Sequence, residues 1–149
     1  MNDFGDLNKP PPIEADPRAK QLLDRVDRGD KEIIAVLRET GGREPVSYAV
    51  SAKIHGVLRS RMNKAFAELV ELRKSNPEYK AQAAGLKTEG PLRELGKIVA
   101  IGWESNRAHG QIAKDVFECE QKLAEFGISD KEAILEAILG PHKPETEHN

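Results

Sequence analysis

Ser47-Tyr-Ala-Val-Ser-Ala-Lys-Ile-His-Gly-Val-Leu-Arg-Ser-Arg-Met-Asn-Lys-Ala-Phe-Ala-Glu-Leu-Val-Glu-Leu-Arg-Lys-Ser75 is the longest unbroken amphipathic stretch of this chain. Val50, Ile54, Leu58, Met62, Ala65, Leu69 and Leu72 recur at spacings of three or four, which places them on one face of a helix. Val57, Phe66 and Val70 widen that face into a stripe suited to a globular core. The stripe keeps its phase past Gly56, so the pattern predicts one uninterrupted helix over residues 50–73. On the other face, residues 53–74 carry six basic side chains against two glutamates, a local net charge of +4. A helix this long cannot stabilise an apolar stripe alone, so other segments must cover it.

Working outward, helix signals recur on both sides. Asp16-Pro17 is a capping residue followed by the residue favoured at the first helical position. Leu22, Leu23 and Val26 follow, and Gly29 stops that helix. Asp30 is expected to cap the next, which holds Ile33, Ile34, Val36 and Leu37 and ends at Gly41-Gly42. Asn76-Pro77 starts a short helix that ends near Gly85, and Gly90-Pro91 opens one with Leu92, Leu95, Ile98, Val99 and Trp103. Residues 104–111 are polar, which leaves two readings open: a turn between helices, or one long helix with an exposed stretch. Apolar periodicity resumes with Ile112, Val116, Phe117, Leu123 and Phe126, up to Gly127. Ser129 and Glu132 have the spacing of a capping box for a last helix, closed by Gly140-Pro141. No stretch alternates with period two, so no strand is expected. The fold class is all-α, a compact bundle of six or seven helices. It forms one domain over residues 16–140, between a disordered tail at 1–15 and a flexible tail at 141–149.

The totals bound the function. Of 149 residues, 38% are apolar and 32% charged, and the net charge of −2 excludes a globally basic nucleic-acid binder but not a basic patch. The single cysteine, Cys119, excludes an intramolecular disulfide and fits a reducing compartment. The start of the chain lacks the basic and apolar runs of a signal peptide. Its longest apolar run, Ile98 to Trp103, is far too short to cross a bilayer. A cytoplasmic protein with no membrane partner is expected.

Catalytic and metal chemistry finds little footing. No two of His55, His109, His142 and His148 stand at a helical ligand spacing, so no metal is expected. Cys119 sits between Glu118 and Glu120, whose charge disfavours a thiolate, and reads as a packing residue. Gly41-Gly42-Arg43 lacks the lysine and hydroxyl of a phosphate loop, and no cofactor is expected. The densest polar cluster is Trp103, Glu104, Asn106, Arg107 and His109, a candidate pocket for a ligand or partner. The same stretch also reads as a tryptophan anchoring a helix end. Gly102, Asn106 and Gly110, four apart, further suggest a groove of small residues for close helix packing.

One local pattern is sharper. Ala52, Gly56, Val57, Met62 and Phe66 fill, without a gap, the small, glycine and apolar positions of the bacterial helix-turn-helix core, which residues 52–66 resemble. The resemblance implies a first helix over Val46–His55, a recognition helix over Leu58–Leu69 and a supporting helix over Asp30–Glu39. Arg59, Ser60, Arg61, Asn63 and Lys64 would then face DNA. Ser51 and His55 depart from the large aliphatics of that motif, and Leu58 from its small polar cap.

The expectation is therefore a non-enzymatic helical interaction or assembly protein that binds protein and self-associates as a homo-oligomer. The alternative is a small DNA-binding protein, a regulator or DNA-processing accessory factor, using residues 46–66.

Overall fold

The computed structural model describes residues 17–40, 45–76, 86–105 and 110–140. Six helices run in chain order: α1 (Pro17–Val26), α2 (Asp30–Glu39), α3 (Pro45–Ser75), α4 (Pro91–Ser105), α5 (Gly110–Glu125) and α6 (Lys131–Leu139). No strand occurs among the described residues. The chain is an all-α helical bundle. The expected tails, and residues 77–85 of the short helix expected from Asn76-Pro77 to Gly85, lie outside the described residues.

Residues 45–75 form a single helix, about 46 Å long at 1.5 Å per residue. The chain does not turn at 56–58, so the split that the helix-turn-helix resemblance implies is not present here. A glycine inside a helix costs about 1 kcal/mol relative to alanine, less than the burial of the stripe that runs past it. Val50, Ile54, Leu58, Met62, Ala65 and Leu69 are all buried. Val70, expected to widen the stripe, is instead 54% exposed, because it lies on the flank away from the neighbouring helices.

α4 is the centre of the bundle, packed against α2, α3, α5 and α6. Its buried residues include Leu92, Leu95, Ile98, Val99, Ala100 and Ile101, on nearly every side of the helix. Arg61 of α3 meets Glu94 of α4 and Glu68 lies near Pro91, so these two helices are antiparallel. α5 runs parallel to α3, since His55 meets Asp115, Arg59 meets Glu118 and Arg73 meets Glu125. α4 and α5 therefore run in opposite senses, and the reading with two helices holds for the stretch around 104–111. At their contact a Cβ on Gly102 would lie 2.5 Å from Val116 Cγ2, so the close approach requires glycine. Gly110, its expected groove partner, has nothing within 4 Å of such a Cβ. On α5, Ile112, Val116, Cys119 and Leu123 are buried, but Phe117 is 59% exposed, one position outside the buried arc.

Two helix starts differ from expectation by one residue. Gly29, not Asp30, precedes α2 without a side-chain cap, and Asp30 opens the helix itself. Asp130, not Ser129, caps α6, its carboxylate accepting from the Glu132 N–H at 3.0 Å. Asp30 instead serves tertiary structure: Arg61 donates to it at 2.9 Å and to Glu94 at 2.6 Å, tying α3 to the starts of α2 and α4. Burial alone would raise the Glu94 carboxyl, but the Arg61 hydrogen bond and charge outweigh it and hold it below its usual range. Arg25 joins α1 to α2 through Glu32 and Glu39, each at 2.7 Å.

Candidate functional site

The amino-terminal third of α3, the end of α2 and the start of α5 border a half-open cavity of about 380 Å³. Its walls are Thr40, Ser47, Tyr48, Ser51, Ala52, His55, Gly110, Gln111 and Ile112, and most of their exposed area is apolar. Ser47, Ser51 and His55 stand four residues apart on α3, a polar ladder rising about 6 Å per step beside the buried stripe. The Thr40 hydroxyl donates to the Val36 carbonyl at 2.8 Å. The Ser47 hydroxyl is buried and has no hydrogen-bond partner among the described residues. A buried hydroxyl without a partner costs roughly 1–3 kcal/mol, so such groups are rare in folded chains.

His55 forms the last step of the ladder and is half-buried. Its Nδ1 donates to Asp115 Oδ2 at 2.5 Å, and Asp115 is only 2% exposed. Arg59 Nη1 lies 3.6 Å from Asp115 Oδ1 and 3.0 Å from Glu118 Oε2, so its charge is shared between two carboxylates. A buried carboxylate is tolerable only with such partners. The Asp115 contact fixes the histidine tautomer, as second-sphere carboxylates do, and leaves Nε2 without a partner among the described residues. Chemically, the cavity offers an apolar body site and one oriented imidazole.

The residues expected to face DNA are divided by the structure. Ser60, Asn63 and Lys64 are exposed, whereas Arg59 and Arg61 are spent on ion pairs with Asp115, Glu118, Asp30 and Glu94. Trp103 and Glu104 do not share a pocket. Trp103 lines a hollow with Gln121 and Ile134 and lies under Lys131, whose Nζ is 5.1 Å from the ring centroid. Glu104 lines a groove with Leu135 and Leu139, and its carbonyl accepts from Arg38 Nε at 3.0 Å. Asn106, Arg107 and His109 lie outside the described residues. Cys119 is a packing residue of the core: burial first, then the charges of Asp115 and Glu118, push its thiol far up. Among the described residues no group of three or more His, Cys, Asp or Glu is placed to hold a metal. No helix there is long and apolar enough to cross a membrane.

The cavity is absent from the expectations drawn from sequence, because His55 and Asp115 are 60 residues apart. One signal was nonetheless legible. Asp115 falls in register with Ile112, Val116 and Cys119, an acid on the apolar face of its helix. A carboxylate at such a position requires a buried partner. No protein-family model, no curated protein and no solved structure matches this chain.

Proposed function

We propose that the protein is a non-enzymatic helical binding module whose cavity between α3 and α5 holds a small, mainly apolar molecule. The observation that carries this reading is a largely apolar cavity of about 380 Å³ whose wall includes a few polar side chains, Ser51 and His55 among them. That volume falls at the lower end of the range for small-molecule sites, and one or two placed polar groups in an apolar wall are their usual composition. The test uses N-phenyl-1-naphthylamine, an uncharged dye whose emission rises in apolar surroundings. It is expected to bind the wild-type chain in a saturable way. Ser51→Phe, which fills the middle of the cavity, is expected to abolish binding while leaving the melting temperature within a few degrees. A dye that never binds, or binds both chains equally, overturns the reading.

Self-association is a second reading, favoured by the apolar side chains left on the surface: Phe117 at 59%, Val70 at 54% and Leu139 at 50% exposed. Solution mass measured across a concentration series tests it, with Phe117→Ser expected to shift the equilibrium toward monomer. The DNA-binding alternative retains Ser60, Asn63 and Lys64 as available contacts. Duplex affinity that falls steeply with salt, and is lost when Lys64 and Asn63 become alanine, is the result that would favour it.

A further inference from the structure

We infer that the ligand of this cavity is an uncharged apolar alcohol or phenol, a hydrocarbon body whose one hydroxyl meets the His55 imidazole at Nε2. The inference rests on the reading of the cavity as a small-molecule site and adds the chemical class.

The absence of charge on the ligand follows from the wall. Among the described residues lining the cavity there is no aspartate, glutamate, lysine or arginine. His55 is the one side chain there that can carry positive charge, and that charge is already answered. Its Nδ1 stands 2.5 Å from Asp115, a carboxylate only 2% exposed, and Arg59 lies 3.6 Å from the same group and 3.0 Å from Glu118. Asp115, Arg59 and Glu118 do not line the cavity, so the charges of this cluster are balanced behind its wall. An ionised ligand would leave water without an opposite charge to meet, a cost far above that of one lost hydrogen bond.

The hydroxyl follows from the histidine. With Nδ1 turned to Asp115, the other edge of the ring carries Nε2, which has no partner among the described residues. The Thr40 hydroxyl is already spent on the Val36 carbonyl. A hydroxyl both donates and accepts, so it pairs with Nε2 whether or not that nitrogen bears a hydrogen. The class of ligand is therefore independent of the protonation state of His55. Most of the remaining wall is apolar, which suits a hydrocarbon body.

The experiment is equilibrium dialysis of the full chain at neutral pH against 2-naphthol, naphthalene, 2-naphthoate and 2-(aminomethyl)naphthalene, four probes with one ring system. The naphthol is expected to bind several-fold tighter than naphthalene, although it is the less hydrophobic of the two. The anion and the cation should each bind about tenfold or more weakly than the naphthol. The paired variant His55→Leu, Asp115→Leu removes both partners and orphans no buried carboxylate. It should still bind the dye but lose the preference for naphthol over naphthalene. A readout on the wild type alone is the imidazole nitrogen spectrum: naphthol should move the His55 Nε2 resonance well beyond any shift that naphthalene causes. Naphthalene, the anion or the cation binding as tightly as naphthol overturns the inference. So does a naphthol preference that survives in the paired variant, or, should that variant not fold, an Nε2 resonance that both probes move alike. In each case, saturable dye binding that Ser51→Phe abolishes would leave the cavity reading standing, whereas a dye that never binds removes both.

Discussion

Along α3, 31 residues present a single buried stripe; along α4, 15 residues are buried on most of their circumference. The first helix leaves a flank free for charge, for the polar ladder and for the cavity. The second has little free flank, and its candidate residues Trp103 and Glu104 stand only at its last turn, facing separate hollows. The difference shows how a bundle divides labour: the enclosed helix holds the others in place, and the one-sided helix carries polar groups at its margin. Glycine plays opposite parts in the two. On α4, Gly102 lets α5 approach to contact, while on α3 Gly56 faces open space.

That contrast is open to direct attack. Leu95→Ala on α4 is expected to cost about 4 kcal/mol and Leu69→Ala on α3 about 2–3 kcal/mol, since the enclosed site has less room to relax. Urea denaturation measures both, and equal losses would erase the distinction. Gly102→Ala is expected to cost about 2 kcal/mol, because Val116 is stiff at χ1 and cannot swing clear of the new methyl. Much of that loss should return in the Gly102→Ala, Val116→Ala double variant; additive losses in that pair would rule out the contact as cause. Arg61→Met should cost roughly 1–2 kcal/mol at neutral pH, between the values for exposed and buried pairs. Its pH dependence has a definite sign. The folded-state value of Glu94 is depressed, so the pair's contribution is full above the unfolded carboxylate value near 4.3 and fades as pH falls through the folded one. Wild-type and Arg61→Met stability curves should therefore converge below about pH 4, and a constant gap would assign the loss to packing. The smallest effect has the opposite direction: Gly56→Ala should stabilise by about 0.5–1 kcal/mol, read as a raised melting temperature.

Period and punctuation made much of this bundle legible. The stripe from Val50 to Leu69 marked α3 and its uninterrupted course, because phase survives a lone glycine. Gly127 and Gly140 marked helix ends, and both adopt positive φ. The central position of α4 was less visible, since its apolar run Ile98 to Ile101 reads only as a short hydrophobic segment; a helix apolar on every side is a buried one. Phe117 and Val70 misled because hydrophobicity alone does not show which flank a neighbour covers. The candidate site was least legible. Its walls come from three helices, and the pairing of His55 with Asp115 depends on the parallel course of α3 and α5, which no local pattern encodes. Trp103 and Glu104, adjacent in sequence, face different hollows because neighbouring helix positions are about 100° apart.

Cys119 makes the bundle its own stopwatch. It is the chain's single thiol, it lies fully buried between α5 and the core, and its surroundings keep it protonated. A thiol reagent therefore cannot react until the helices part, and each modified molecule records one opening event. Labelling at low reagent concentration reports how often the core opens, and at saturating reagent how fast, with no dye or tag added. A ligand seated between α3 and α5 would slow that clock, so the same sulfur reads out occupancy of a cavity it does not line.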